Sequence, residues 1–392
     1  MKVEYDVIII GGGLVGAATA LALKDAGLRI ALVEAGAEPV LLQDESWDSR
    51  IYAISPGNVR FLTELGAWNR QDLTRVAPIE AMHIWSDGGA RLEFSADEAS
   101  VETLGTIVES RLMQQALWAR VQMYPQQIDL YNAARCQHLI FSLEKATLSL
   151  EGTHGRDLTA KLIIGADGGN SWSRTQAGIG VNTHDYKQLG VVANFECVLP
   201  PRNIARQWFR RDGILAWLPL PGNRMSMVWS TDPVHAAELM ALPADALCAK
   251  VAEAGGHVLG DLQLITPPAA FPLRLQNAET LVKPRFALVG DAGHLVHPMA
   301  GQGVNLGFHD AAKLAEVLRE RGAQSDVGDY GLLRRYERAR KLDIAAMQTM
   351  TTGLHALFGS DLPGAGWLRN TGMNLTNSQP WLKRRLMAHA MI

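Results

Sequence analysis

Hydrophobic positions set the first elements of the chain. Tyr5–Ile10 is a short apolar run, broken only by Asp6, and it reads as a buried strand. Leu14–Ala26 reads as a helix, with Gly27 where a C-terminal cap belongs. Arg29–Glu34 reads as a second strand. Strand, helix and strand in that order make a βαβ unit, which predicts a parallel sheet at the start. Val7–Leu23 carries no charged residue and imitates a signal peptide or a membrane span. Glu4 and Asp6 beside Lys2 are wrong for the basic start of a signal peptide. Its glycines and its shortfall from about 20 apolar residues argue against a span. A buried strand plus a helix remains.

The texture changes after Gly180. Gln188–Cys197, Arg206–Arg210, Ile214–Leu220 and Met225–Thr231 are short β-branched or aromatic runs. Arg211-Asp212-Gly213 and Pro221-Gly222-Asn223 separate them as turns. An antiparallel sheet is expected from roughly 185 to 275. Phe286–Val289 returns to the buried-strand pattern, Val304–Leu318 and Asp329–Phe358 read as helices, and Trp381–Ile392 is a last amphipathic piece. The expected fold class is therefore α/β (α+β): a Rossmann-type nucleotide lobe built from 1–75, 105–180 and 280–325, an antiparallel-sheet substrate lobe from 76–104 and 181–279, and C-terminal helices over 326–392.

Composition changes this picture little. With 392 residues the chain has room for two cores, and a formal net charge of −3 gives no reason to expect nucleic acid. Cys136, Cys197 and Cys248 are far apart, without the spacing of a zinc site or a disulfide framework, so no metal is expected and a reducing, cytoplasmic setting is.

Three glycine-bearing motifs carry the candidate chemistry. In Gly11-Gly12-Gly13-Leu14-Val15-Gly16, Gly11 permits a tight turn, Gly13 lets backbone approach a pyrophosphate, and Gly16 lets helix pack on strand. The start of the helix then offers free N–H groups to phosphate. Glu34 ends the second strand, where a carboxylate accepts hydrogen bonds from a ribose and repels a 2′-phosphate, so the slot suits FAD or NAD. Gly165-Ala166-Asp167-Gly168 follows the strand Lys161–Ile164 and is a short loop able to aim amides at a second part of a dinucleotide, though it is also an ordinary turn. Gly290–Asn305 lies between a buried strand and a helix start. Asp291 can hold a polyol hydroxyl, and the Gly301–Asn305 amides favour the negative charge of a reduced flavin. An NAD dehydrogenase has no use for this third piece, whereas FAD spans both ends.

Together these residues resemble the single-component flavin aromatic hydroxylases, the p-hydroxybenzoate hydroxylase class. Gly290–Gly307, Asp48–Ser55, Leu218-Pro219-Leu220 and Arg334–Arg338 look most like the ubiquinone-biosynthesis branch, which acts on polyprenyl phenols and benzoquinols. Departures from the pattern are Gly293 for the usual alanine and Ser110 for an expected asparagine. The resemblance implies FAD as cofactor, NAD(P)H as electron donor, O2 as oxidant and a flavin C4a-hydroperoxide that hydroxylates the ring. It places Arg50 and Arg111 near the cofactor, Asp291 on the ribityl chain, Pro298 against the reacting end, and Gly303, Val304 and Asn305 at the pyrimidine edge. Gly290 and Gly301 frame that loop, with His297 and Gln302 as candidates beside Pro298.

A hydrophobic aromatic substrate with an isoprenoid tail needs an apolar cavity. Trp208, Trp217 and Trp229, at alternating positions in the expected sheet, are candidates to line it; plain core packing is the alternative. His294 and His297 are the acid/base candidates, with a structural role the alternative for His294. Leu382–Leu386 and Arg334–Lys341 are basic stretches beside apolar residues, suited to a peripheral contact at the inner face of the membrane or to another quinone-biosynthesis protein. Hydroxylation of another phenol, reduction of isoprenoid chains and a non-catalytic flavoprotein subunit stay open at this point.

Overall fold

Val7–Ile10 is apolar without alternation because both of its faces are covered. A computed structural model describes residues 3–39, 46–68, 74–151, 155–296, 302–322 and 325–358, with 376, 377, 379 and 383. In it Tyr5–Ile10 is a central strand, flanked in parallel by Asp157–Gly165 and Ile30–Val33. Phe286–Leu288 and Ile128–Tyr131 extend the parallel array on either side. Strands buried on both faces read as continuous apolar runs, and Val7, Ile8 and Ile9 are fully buried. A hairpin, Cys136–Phe141 and Ala146–Leu150, pairs antiparallel onto Asp157–Gly165.

The opening helix is Leu14–Leu23, followed by a turn. It packs against Gln302–Arg319, the helix that follows the third motif. Between the lobes lies a three-stranded sheet of Ile51–Ile54, Gly105–Glu109 and Ala77–Ile79.

The second large sheet has nine strands. In spatial order, its main path is His294–Leu295, Ala269–Ala278, Val181–Cys197, Arg224–Thr231, Gly213–Leu220, Ile204–Arg210, Ala81–Ser86 and Arg91–Ser95. The expected antiparallel sheet forms, with two differences. Ile204–Arg210 and Ala81–Ser86 run parallel, because the latter strand arrives from an earlier part of the chain. Two helices, Pro233–Ala241 and Ala244–Ala254, interrupt the run of strands. The first has a clear local cause: Asp232 accepts hydrogen bonds from the Val234 and His235 amides, and Pro233 presets the first turn.

Those helices decide which face of the sheet is core. Val191, Phe195, Leu215, Trp217, Met227 and Trp229 pack with Leu239, Leu247 and Val251. Trp217 and Trp229 are each 1% exposed. Gly255 lies so close to the Trp217 ring that a Cβ there would sit 2.0 Å from it. Trp208 is half-buried, stacked on Trp85 at 4.9 Å and edge-on to Trp217 at 4.8 Å. All three tryptophans share the helix-covered face, so their place is in a packed core and not in a cavity beside the glycine loops. The alternation read from sequence is correct, but the side it faces is set by the helices.

The long helix Tyr330–Phe358 clasps the parallel sheet from outside. The Tyr336 hydroxyl donates to the Leu288 carbonyl at 2.8 Å. Glu337, fully buried, accepts from Thr280 Oγ1 at 2.6 Å and the Leu281 amide at 2.9 Å. Arg340 reaches furthest, to the buried carboxylate of Asp310 at 2.7 Å. Asp310 Oδ2 also takes the Gly290 amide at 2.8 Å and His294 Nε2 at 2.6 Å. One carboxylate thus joins the Gln302–Arg319 helix, the third-motif loop and the C-terminal helix. Burial pulls its pKa upward, but His294 and Arg340 outweigh burial and hold the carboxyl below its ordinary value.

Trp217→Ala should cost about 3–5 kcal/mol, read from urea unfolding, while the folded fraction keeps its cofactor content. Near-wild-type stability would remove Trp217 from the core. Asp310→Asn should also destabilise strongly, by about 3–5 kcal/mol, because Arg340 is left buried without its partner. Asp310 binds its proton less readily folded than unfolded. Its contribution is therefore whole above a pH of about 4 and is lost as pH falls through the folded-state pKa. Urea midpoints measured from pH 6 to pH 3 should fall more steeply in the wild type than in Asp310→Asn, and equal slopes would contradict this role.

Candidate cofactor and substrate site

The three motifs meet at the C-terminal edge of the parallel sheet. Gly11 has φ +104°, and a Cβ on it would strike the Ala166 carbonyl at 2.4 Å. Only glycine satisfies both demands, and the first motif thereby rests on the loop of Asp167. A Cβ on Gly16 would lie 1.8 Å from the Gly11 carbonyl, which holds the helix against its own loop. Val15 is pressed between Gly290 and Gly307, where added Cβ atoms would come within 3.2 Å and 2.5 Å of it. Leu14 is half-buried beside it. Arg174 completes the junction by donating to the Ala292 carbonyl at 2.7 Å and the Gly169 carbonyl at 3.1 Å.

Gly13 differs from its neighbours. It is exposed, and a Cβ on it would meet nothing within 4 Å. It is also the N-cap of Leu14–Leu23, and no side chain caps that end. Unpaired amides at a helix start, facing open space, suit a pyrophosphate. Glu34 lies beside them, with Oε2 accepting from the Gly12 amide at 2.6 Å and Oε1 from the Gly36 amide at 2.7 Å. Each carboxylate oxygen keeps further acceptor capacity for a ribose hydroxyl. Gln114 and Trp118 hold the Gly12 carbonyl at 2.5 Å and 2.7 Å.

At the other end of the cleft, Gly290 has φ +61° and starts a single 3₁₀ turn that presents Asp291. The Asp291 carboxylate lies 4.0 Å from the position of a Cβ on Gly303, so it faces the start of the Gln302–Arg319 helix. Desolvation by the surrounding protein raises its pKa, opposed by His294. Val304 is buried. Asn305 is buried too, and its side chain is already engaged: Oδ1 accepts from the Ser55 amide and Asn58 Nδ2, both at 2.9 Å, and Nδ2 donates to the Ala53 carbonyl at 2.8 Å. Only its backbone is left for a pyrimidine edge. His297, Pro298 and Gly301 lie outside the described residues, and of Gln302 only its place at the helix start is described.

A buried ion cluster holds the strand between these ends. Glu109, fully buried, pairs with Arg75 at 2.7 Å and Arg111 at 3.3 Å and accepts from the Asp48 amide at 2.7 Å. Asp48 accepts in turn from the Arg50 and Arg111 amides at 2.9 Å and 3.1 Å. Arg111 also donates to Ser46, so much of its guanidinium is committed to protein, although its buried Nε has no partner among the described residues. Arg50 is exposed over the Phe271 ring at 5.4 Å. The Asp167 carboxylate is occupied by Ser171 Oγ at 2.5 Å and by the Ser173 hydroxyl and amide at 2.8 Å each, so it shapes its loop and leaves backbone to face a ligand. His294 is engaged with Asp310 and is not a free acid or base.

Sequence reasoning missed Asp310, Glu109 and Tyr52. Asp310 had a signal: an acid between Phe308 and Ala311-Ala312, among the apolar positions of Val304–Leu318. Tyr52 is half-buried on Ile51–Ile54 and hydrogen-bonds Ser110, the position where asparagine was expected. Burial, and then the nearby Asp291 charge, push its phenol upward in pKa.

Opposite the tryptophans, the large sheet turns its other face to this cleft. Ala205, Leu218 and Leu220 meet Ile51, Ala53, Ile79 and Ile107 there, and the Asn194 amide donates to the Asp48 carbonyl at 2.8 Å. Val192, Ala216 and Val228 on that face are half-exposed despite lying on interior strands. The apolar surface beside the cleft is therefore this row and not the tryptophans.

The model of an FAD binding domain matches residues 4–351. The chain is 35% identical over 390 residues to the 3-demethoxyubiquinol 3-hydroxylase of Escherichia coli, covering 98% of each. It is 36% identical over 390 residues to a ubiquinone hydroxylase of Rhodospirillum rubrum, covering 98% of this chain and 89% of that one. It is 32% identical over 432 residues to the mitochondrial ubiquinone biosynthesis monooxygenase of Homo sapiens, covering 98% and 92%. In fold it resembles p-nitrophenol 4-monooxygenase from Pseudomonas putida, with a TM-score of 0.79, 17% identity and coverage of 100% and 99%. It also resembles an FAD complex of HpxO from Klebsiella pneumoniae, with a TM-score of 0.75, 18% identity and coverage of 99% of each. Glycine loops, acid and open helix start fit FAD, and the chain belongs to the ubiquinone-biosynthesis flavin hydroxylases, FAD-dependent monooxygenases of the p-hydroxybenzoate hydroxylase-like class.

Proposed function

We propose that this protein uses FAD, NAD(P)H and O2 to hydroxylate the aromatic ring of a polyprenyl phenol or benzoquinol on the way to ubiquinone. The observation that carries the reading is a single junction: a dinucleotide cleft, closed by three glycine motifs, opens onto a half-exposed apolar sheet face. The names of the relatives support the quinone pathway and a hydrophobic ring.

FAD supplies the oxygen activation when bound, so no side-chain nucleophile is required. The chain's own residues bind, orient and exclude water. Gly11, Gly13 and Gly16, with Leu14 and Val15 behind them, hold the pyrophosphate at the open helix start. Glu34 accepts from the ribose, the Asp167 loop adds backbone donors, and Arg50 supplies a positive charge on the same side. Arg111 acts by fixing the loop of Ser46–Arg50 through Glu109. Asp291 accepts from ribityl hydroxyls. The helix start at Gln302–Asn305 stabilises negative charge at the pyrimidine edge through its amides. Gly290 gives that loop its first turn, and His297, Pro298, Gly301 and Gln302 are the sequence candidates beside the reacting end. The parallel-sheet segments 1–75, 105–180 and 280–325 serve the cofactor and 76–104 and 181–279 the ring, while within 326–392 the helix Tyr330–Phe358 braces the third motif.

A peripheral membrane contact suits a long-tailed substrate. Among the described residues no helix is long and apolar enough to cross a membrane. In the basic cluster, Arg334 pairs with Glu337, Arg335 with Glu320 and Arg340 with Asp310. That leaves Arg338 and Lys341 exposed beside Leu342, which is 77% exposed. Lys383, from the last basic stretch, is buried against Glu98 at 2.6 Å and faces no lipid. The rest of that stretch is outside the described residues. The exposed cations and Leu342 are the candidate contact for an anionic surface or for another quinone-biosynthesis protein.

Asp291→Ala should weaken FAD binding about 10- to 100-fold, the loss of a charge-assisted hydrogen bond of about 1.5–3 kcal/mol. Titration of the flavin-free protein checks this, and an unchanged Kd would detach Asp291 from the ribityl chain. Supplied with ¹⁸O2, NAD(P)H and a short-chain prenylphenol, the holoenzyme should place one heavy oxygen on the ring, seen by mass spectrometry. A product without the label, or one with a saturated side chain, would replace the hydroxylase by a reductase.

A further inference from the structure

The sheet face toward the cleft carries a polar side chain, Gln207, that is unpartnered among the described residues yet not sealed from solvent. Backbone pairing sets Val192, Val228, Ala216, Gln207 and Ile84 in one transverse row across five strands. Residues directly opposite each other share a face, so the whole row lies opposite the helix-covered tryptophans. Its four apolar members are half-exposed. Gln207 is 5% exposed, yet its carboxamide has no hydrogen-bond partner among the described residues. Its polar atoms are not sealed off either, unlike Trp217 Nε1 or Asn194 Oδ1, which are buried outright without partners. Enclosed polar groups in native proteins are ordinarily hydrogen-bonded. A neutral amide, unpaired and still reachable within an apolar floor, between Ala216 and Ile84, is suited to a ligand that brings one polar atom.

Charge narrows the ligand. Arg206, next along the strand, points to the opposite face and donates to the Pro201 and Ile204 carbonyls at 3.1 Å each. Arg224, on the cleft side, pairs with Glu196 at 3.4 Å. Arg50 lies over Phe271, on a different row of the sheet. The row itself carries no cation, so an ionised carboxylate laid on it would lose its water without a compensating charge. A carboxamide both donates and accepts, which matches a hydroxyl or a quinol oxygen.

We propose that Gln207 is a specificity-determining residue that hydrogen-bonds a neutral ring oxygen of the substrate. The inference rests on the aromatic-hydroxylase reading and assigns a residue to its ring site.

Isothermal titration of the FAD-loaded protein tests it with two rings: a short-chain prenylphenol and the same ring lacking the hydroxyl. The wild type should bind the phenol at least about 10-fold more tightly than the other, the worth of one buried hydrogen bond. Gln207→Met, which keeps the side-chain length, should lose that advantage for the phenol and bind the hydroxyl-free ring as the wild type does. Gln207→Leu serves if the methionine variant does not fold, with FAD content and Tm confirming the fold of either. Undiminished phenol binding by the variant would overturn the assignment while leaving the hydroxylase reading intact. If the wild type bound neither ring, the hydroxylase reading would fall and the role of Gln207 with it.

Discussion

The buried carboxylate of Asp310 is the interaction on which the cofactor end of this molecule depends. An ionised group with no exposure is tolerable only if its partners are fixed. Here they are the Gly290 amide, His294 and Arg340, from a loop and a distant helix. The requirement runs both ways: Asp310 holds the loop that presents Asp291, and the loop, with Arg340, keeps Asp310 charged. Gly290 and Gly307 add a steric condition, since both must lack side chains for Val15 to seat between them. The first and third motifs, nearly three hundred residues apart in the chain, are thereby fixed against each other.

A second constraint comes from the large sheet. Each face of a sheet must be covered or used. The helices Pro233–Ala241 and Ala244–Ala254 cover one face with the tryptophan core. The other face is free to meet the cleft, and its interior positions stay half-exposed. Packing thus leaves apolar surface uncovered: a sheet this wide supplies more apolar face than the three-stranded sheet beside it can hide. The ion cluster of Glu109, Arg75 and Arg111 keeps that smaller sheet and the Asp48–Arg50 turn at the junction, so the cofactor end and the ring end share one wall.

Much of this was legible in the sequence, and for local reasons. Val7–Ile10 and the glycine loop were readable because a buried strand, a tight turn and a close approach demand particular residues at particular spacings. The strands from Arg206 to Thr231 were readable from alternation. The side they face was not, because period 2 separates two faces without saying which one a helix will cover. That is why Trp217 and Trp229, expected at a cavity, lie in a core, and why Val192, Ala216 and Val228 drew no notice. The side chain of Asn305, expected at a pyrimidine edge, is spent on Ser55, Asn58 and Ala53, partners some 250 residues earlier.

By itself the sequence determined the order of elements, the dinucleotide character of the opening unit and the need for a ligand with two ends. Those follow from hydrophobic period and from the conformations that glycine allows, both properties of short segments. The tertiary structure alone decided that three glycine motifs form one cleft, that His294 belongs to Asp310, and that the apolar floor is the tryptophan-free face. Those outcomes depend on side chains brought together from distant positions, where burial and charge pairing choose among arrangements that the local pattern leaves equal.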